Sequence, residues 1–363
     1  MEARTFVVAC GGTGGHVFPG LAVAQELRRR GHTVEVWFSG RAIESSTLCS
    51  WDGPVFLTGA RQLSLRAIPQ VFRAFRRSLK ACKLLRPDAL LAMGSYASLP
   101  PVLAARSCGV PVLLHEANAV PGKAVDFLSC FAALTATSFE ETATWLQGRK
   151  VVCTGLPVRD DLAAQPRFAD VPEGLFTVFV TGGSQGARRV NELASQALCL
   201  LKQSGVDDFF VIHQCGAADE ARVRAAYQAA GVRARVCAFL AEMGQAYATA
   251  DLVICRAGAS TCFELCLLGK PSLLIPLPTA VRNHQHVNAT ALARCGGADV
   301  GIQRELTARS LMRYVLNKKG DPAALTHMSQ ALKPLATPAA AARVADALEG
   351  IAATRPLQRP GAV

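Results

Sequence analysis

The chain has 363 residues, half of them apolar and 18% charged, with a net charge of +12. That is enough for two domains of ordinary size, each with its own core, and the low charged fraction suits parallel strands buried on both faces. No stretch approaches the ~20 apolar residues of a spanning helix, so any membrane contact is expected to be peripheral.

The basic balance implies an anionic partner: nucleic acid, an acidic membrane or a phosphorylated substrate. Thirteen cysteines are scattered without a CxxC pair. Cys262 and Cys266 are four apart with no second pair to complete a zinc site. They read as small buried hydrophobes in a reducing compartment, and no metal is expected.

Met1 to Cys10 carries Glu2 and Arg4 and a very short apolar run, and does not read as a signal peptide. Thr5 to Cys10 predicts a buried strand, followed by the loop Gly11-Gly12-Thr13-Gly14-Gly15-His16. Pro19 to Arg30 predicts a helix with Pro near its first turn, stopped by Gly31, and Thr33 to Phe38 a second strand. This βαβ order means a parallel sheet. Ala89 to Ala92, Val112 to His115 and Val151 to Thr154 predict further strands. Ligands in such sheets bind at the carboxyl ends, which points to the loops after Cys10, Ala92 and His115.

A second copy opens with a strand at Thr177 to Thr181. The glycine loop Gly182 to Arg188 and a helix from Val190 to Lys202 follow. Phe209 to His213, Leu252 to Cys255 and Ser272 to Pro276 complete the strands. Two similar α/β domains joined near Leu156 to Pro172 is the simplest reading. Ala339 to Glu349 predicts a last helix, and 352–363 a disordered tail.

A glycine loop opening a helix presents unpaired backbone N–H groups at the positive end of the helix dipole, a natural phosphate cradle. Neither loop is a P-loop. A dinucleotide fold is a rival: Gly12-Thr13-Gly14 starts like GxGxxG and Glu35 sits at a ribose-binding spacing, but Val17 stands where the last glycine belongs. After a later strand, Ser260 or Thr261 can start a helix. Thr261-x-x-Glu264 reads as a capping box with Glu264 in the first turn.

From Arg61 to Arg86 run eight basic residues and no acidic one. Ile68, Phe72, Phe75 and Leu79 recur among them at helical spacing, which predicts a basic amphipathic helix for an anionic membrane surface.

Taken in order, Gly11 to Ala22, His115-Glu116-x-Asn118, Pro157-Val158-Arg159, Gly182 to Arg188 and Asn283-His284-Gln285-x-x-Asn288-Ala289 closely resemble the MurG family of bacterial N-acetylglucosaminyltransferases, over nearly the whole chain. The resemblance implies an α/β GT-B fold, two Rossmann-like domains whose parallel sheets face across a cleft. It divides the chain into an acceptor- and membrane-binding domain at 1–158 and a donor-binding domain at 159–338, with the helix at 339–350 packing back on the first. It implies transfer of N-acetylglucosamine from UDP-N-acetylglucosamine to lipid I on the cytoplasmic face of the bacterial inner membrane, without a cofactor. Other cell-wall synthesis proteins are implied as partners, and nucleic acid is not.

The donor contacts it implies are Thr13, Gly14 and Gly15, Asn118, Arg159, Ser184 and the backbone at Leu240. Ala259, Ser260, Thr261, Cys262, Phe263 and Glu264 are implied at ribose and phosphate, with Glu264 on the ribose hydroxyls, and Gln285 at the donor sugar. The chain departs from the family pattern at Gly94-Ser95-Tyr96, where Gly-Gly-Tyr is common, at Ala117, where Gln is usual, and at Arg282, where Asp is common.

The reaction is expected to be inverting displacement by an acceptor hydroxyl. The leaving diphosphate would be held by helix N-termini, with Arg159 as a charged helper. His16 and Glu116 are rival candidates for the base. Two alternatives remain: a sugar-nucleotide epimerase on the same fold, and a nucleic-acid binder suggested by charge alone.

Overall fold

The computed structural model describes residues 2–12, 14–40, 51–61, 67–159, 162, 165–183 and 185–354. Two compact units divide the chain, 1–159 with 337–363 and 160–336. The first runs β1 (Thr5–Ala9), α1 (Gly14–Arg29), β2 (Thr33–Phe38), β3 (Val55–Leu57), α2 (Ile68–Leu85), β4 (Ala89–Ala92), α3 (Leu99–Ser107), β5 (Val112–Glu116), α4 (Lys123–Leu128), β6 (Leu134–Thr137) and β7 (Val151–Cys153). The second opens with β8 (Phe176–Thr181), α5 (Arg188–Gln203), β9 (Phe209–Gln214), α6 (Glu220–Ala230), β10 (Ala234–Cys237), α7 (Met243–Thr249) and β11 (Leu252–Cys255). It continues with α8 (Ala259–Leu268), β12 (Ser272–Leu274), α9 (His284–Arg294), β13 (Ala298–Val300), α10 (Ala308–Lys319) and α11 (Pro322–Leu332). The last helix, α12 (Ala340–Ala353), returns to the first unit.

Both sheets are wholly parallel among the described residues. Their orders are β3-β2-β1-β4-β5-β6-β7 and β10-β9-β8-β11-β12-β13. The two orders superpose strand for strand over six strands, and both reverse direction between the first and fourth strands, where doubly wound sheets bind ligands. One pair of bonds repeats too. Asp88, just before β4, accepts the Thr5 N–H at 2.8 Å, and Asp251, just before β11, accepts the Thr177 N–H at 2.7 Å.

The alternation of β1 sorts its side chains to two cores. Phe6 and Val8 pack with Val17, Leu21 and Leu27 of α1 and with Val344 and Leu348 of α12. Val7 and Ala9 pack with Cys82 of α2, Val102 and Ala105 of α3 and Leu128 of α4. In the second unit Val178 and Val180 meet Leu193 of α5, Tyr227 of α6 and Leu311 and Val315 of α10.

Several expectations need correction. Helix α1 begins at Gly14, not Pro19, so Pro19 lies inside it. Glycine favours such a start poorly, but packing overrides propensity. A Cβ at Gly20 would lie 2.4 Å from that of Cys10, so Gly20 lets α1 press on the end of β1. That is the close-packing role that Val17 cannot fill in the dinucleotide reading. Glu35 is mid-strand in β2 and accepts from Trp37 Nε1 at 3.1 Å, away from the carboxyl end where a ribose would sit.

Helix α8 is capped by Gly258 without a side-chain bond, so Thr261 is inside it and Glu264 is in the second turn rather than in a capping box. The apolar residues of α2 split as well. Phe75 and Leu79 pack on the core, while Ile68 and Phe72 are 59% and 58% exposed. The missed strands β3, β6, β10 and β13 have three or four residues each, too few to show a period.

Candidate active site

In the first unit the loop after β1 meets the loop after β4. Ser95 Oγ donates to the Gly11 carbonyl at 2.9 Å and accepts from the Ala97 N–H at 3.2 Å. His16 lies in the first turn of α1, half-buried, and its Nδ1 is 2.8 Å from the Met93 carbonyl oxygen. A ring nitrogen facing a carbonyl must carry the proton, which leaves the lone pair of the neutral ring on Nε2. Burial holds the His16 pKa below the ordinary imidazole value, and the Met93 bond only partly opposes this.

Glu116 ends β5 and is buried. Its Oε1 accepts from the Asn118 N–H at 2.9 Å and from Asn118 Nδ2 at 3.1 Å, and its Oε2 from the Gly122 N–H at 2.8 Å. Burial pushes its pKa up, against those donors. Both oxygens thus brace the turn that carries Asn118. His115, wholly buried, faces the Gly155 carbonyl through Nε2 at 3.2 Å and is held neutral, its pKa lowered to about 4 by burial.

Arg159 belongs to the first unit. Its guanidinium carbon lies 4.9 Å from the centre of the Phe18 ring, one turn along α1 from Gly14 and Gly15. The described geometry therefore gathers Gly14, Gly15, His16 and Arg159 about the start of α1. Thr13 lies outside the described residues.

In the second unit the loop Gly182 to Gly186 precedes α5. Gly183 N–H donates to Thr181 Oγ1 at 3.1 Å, and the Gly186 N–H to the Gly183 carbonyl at 2.9 Å. Gly186 has φ +75, and a Cβ there would lie 2.0 Å from the Cys215 carbonyl oxygen. The buried Asn191 on α5 braces this contact. Its Nδ2 donates to the Cys215 carbonyl and to Asp219, each at 2.8 Å, and its Oδ1 meets His213 Nε2 at 3.2 Å. Ser184 lies outside the described residues.

Beside that loop, at the cap of α8, nothing lies within 4 Å of where a Gly258 Cβ would stand, while Ala259 is buried. The Cys262 N–H is the first bonded back, to the Gly258 carbonyl at 3.0 Å, so the amides of Ala259, Ser260 and Thr261 have no helical carbonyl to pair with. Cys262 and Phe263 are buried, and point to packing rather than ligand contact through their side chains. Glu264 is half-buried and accepts at Oε2 from the Tyr247 hydroxyl at 2.8 Å. Leu240 is buried in the loop after β10.

Gln285 Oε1 accepts from the Leu277 N–H at 2.9 Å. One turn on, the buried Asn288 donates to the Ala257 carbonyl at 3.1 Å, tying α9 to the loop before α8. Arg256, within that loop, donates to the Ile275 and Pro276 carbonyls after β12 at 3.0 and 3.2 Å. Sequence reasoning assigns no role to Arg256, Asn191, Asn288 or Tyr247. The Gln285–Asn288 spacing puts both on one helix face and was the available signal.

Among the described residues no group of three His, Cys, Asp or Glu is placed to hold a metal ion, and no helix is long and apolar enough to cross a membrane.

Residues 6–137 match the glycosyltransferase family 28 N-terminal domain and residues 177–348 the glycosyltransferase family 28 C-terminal domain. The UDP-N-acetylglucosamine--N-acetylmuramyl-(pentapeptide) pyrophosphoryl-undecaprenol N-acetylglucosamine transferase of Pelobacter propionicus is 41% identical, over 87% of this chain and 91% of the relative. The crystal structure of Acinetobacter baumannii MurG aligns with a TM-score of 0.76 at 32% identity, covering 96% of this chain and all of that one. A putative UDP-N-acetylglucosamine 2-epimerase from Listeria monocytogenes aligns with a TM-score of 0.76 at 13% identity, over 98% of each chain, a likeness of fold alone.

Proposed function

We infer that this chain, which belongs to the MurG family of UDP-N-acetylglucosamine--N-acetylmuramyl-(pentapeptide) pyrophosphoryl-undecaprenol N-acetylglucosamine transferases, performs that family's transfer. It moves N-acetylglucosamine from UDP-N-acetylglucosamine to the 4-hydroxyl of the N-acetylmuramyl residue of lipid I, giving lipid II and UDP.

The observation that carries the chemistry is the imidazole of His16 held by the Met93 carbonyl. The acceptor hydroxyl attacks the anomeric carbon from the face opposite UDP, giving inversion. His16 Nε2 takes the hydroxyl proton as the new C–O bond forms, and the electron pair of the breaking anomeric bond leaves with UDP. The amides at the start of α8 and the second glycine loop face the leaving diphosphate, with Arg159 as a charged helper. Glu264 takes the ribose hydroxyls, the backbone at Leu240 the uracil, and Gln285 and Asn118 the donor sugar.

The enzyme works at a membrane surface as a peripheral protein. Support comes from α2, which exposes Ile68 and Phe72 on a helix with Arg73, Arg76, Lys80 and Lys83 and no acidic residue.

Epimerases share the fold, so the donor alone is the discriminating substrate. Incubated with UDP-N-acetylglucosamine and no acceptor, the enzyme should leave the sugar unchanged by NMR. Accumulation of UDP-N-acetylmannosamine would overturn the assignment.

A further inference from the structure

We propose that His213 is a positioning residue for the donor: through Asn191 it holds the Cys215 carbonyl on which the second glycine loop is seated, and so sets the affinity for the nucleotide diphosphate. The proposal rests on the reading of that loop as a contact of the leaving diphosphate.

His213 lies inside β9 and is fully buried. Its Nδ1 is 2.9 Å from the hydroxyl of Tyr227 on α6, and its Nε2 is 3.2 Å from Asn191 Oδ1 on α5. Asn191, Tyr227 and Cys215 are buried as well. The far end of this chain of bonds fixes the direction of each. The Cys215 carbonyl can only accept, and so can the Asp219 carboxylate, which pairs with Arg222 at 2.8 Å. Asn191 Nδ2 meets both at 2.8 Å, so the amide oxygen faces the histidine. His213 must therefore donate through Nε2 and accept the Tyr227 proton at Nδ1. Burial lowers its pKa to about 3, so the ring holds only that one proton.

The carbonyl at the end of the chain sets where the loop can lie. A Cβ on Gly186 would stand 2.0 Å from the Cys215 oxygen, and one on Gly216 would stand 2.5 Å from the Gln185 oxygen. Loop and strand end thus pack backbone on backbone. Without the Nε2 donor, Asn191 Oδ1 is a buried acceptor with nothing to accept. That cost turns the amide toward another donor and releases the Cys215 carbonyl. Binding must then order the loop, which weakens it without touching the reacting atoms.

The test uses His213→Gln and His213→Asn in the full chain. A glutamine amide nitrogen reaches as far as Nε2, and that of asparagine only as far as Nδ1. The first variant keeps the donor to Asn191 and the second loses it. Calorimetric binding of UDP should weaken about tenfold in His213→Asn, the worth of a buried acceptor left unsatisfied, and stay near wild type in His213→Gln. With a lipid I analogue as acceptor, the same contrast should fall on the KM for UDP-N-acetylglucosamine, with kcat little changed. A merely structural role would instead lower the active fraction, and so kcat, in both variants alike.

Equal UDP affinity in the two variants overturns the proposal. Gly186→Ala is the control for the loop: wild-type affinity there would overturn the reading of the loop as a diphosphate contact, and the proposal with it. If either histidine variant fails to fold, NMR of isotope-labelled histidines in the wild-type chain gives the answer. His213 should be neutral and protonated at Nε2, with resonances that move on UDP binding. A ring protonated at Nδ1, or resonances unmoved at saturating UDP, again overturns the proposal.

Discussion

His16 and Met93 are joined at 2.8 Å, imidazole Nδ1 to backbone carbonyl, so the first turn of α1 is pinned to the residue that follows β4. The bond fixes the tautomer. Burial lowers the pKa, so the neutral base persists as pH falls through the ordinary imidazole value of about 6.5. The acid limb of kcat/KM should therefore lie below that value, and His16→Ala should lose about 10²- to 10⁴-fold in kcat. An acid limb at or above 6.5, or an unimpaired variant, would remove His16 from the reaction.

Ser95 has φ +66 and ψ 168, a region close to glycine-only, and it stands where the family often carries glycine. Strain there costs about 1–3 kcal/mol, and its two hydrogen bonds each return about 1 kcal/mol. Ser95→Ala keeps the strain and loses the bonds, so it should destabilise by about 2 kcal/mol. Ser95→Gly loses both strain and bonds and should stay within about 1 kcal/mol of wild type. Denaturant unfolding of the pair measures the difference.

Gly186 cannot take a side chain: φ is +75 and a Cβ would strike the Cys215 carbonyl. Gly183, also at positive φ, has open space around its Cβ position. Gly186→Ala should weaken UDP binding, measured by calorimetry, well beyond Gly183→Ala, because only the former pushes the loop off β9. Equal effects would mean that backbone conformation alone governs the loop.

Burial keeps two histidines neutral, His115 at about 4 and His213 at about 3. The unfolded chain takes up protons near pH 6.5 that these folded groups refuse. Their stabilisation is complete above that value and is lost progressively as pH falls from about 6.5 toward 4 and 3. The thermal midpoint should drop across that window, and a flat midpoint between about pH 6.5 and 4 would contradict the burial argument.

Ile68 and Phe72 are exposed on a helix whose Phe75 and Leu79 face the core. Ile68→Ser with Phe72→Ser should weaken sedimentation with anionic vesicles several-fold and leave the thermal midpoint unchanged, because neither side chain supports the fold. A lowered midpoint with unchanged vesicle binding would assign the pair to packing.

Much of the fold was legible because buried parallel strands of four to six residues announce themselves as apolar runs. Thr33–Phe38, Ala89–Ala92 and Leu252–Cys255 fall where the sequence puts them. The start of α1 was not legible: Gly20 against Cys10 and His16 against Met93 are contacts between distant segments, and they extend a helix that local propensity would begin later. The same holds for α8, where Thr261 and Glu264 match a capping box in sequence, yet the helix starts two residues before Thr261. In the candidate site, the donor contacts were named through the resemblance to the MurG family, whereas the braces were not. Asn191, Arg256 and Tyr247 act on backbone or side chains many residues away, and only the fold brings them there.

The most direct test of the transfer is to mix the full chain with UDP-N-acetylglucosamine labelled in the sugar and a lipid I analogue in detergent. Label should appear in a disaccharide lipid, with one UDP released per transfer. Label that stays on the nucleotide, with the lipid recovered unchanged, would contradict the assigned reaction.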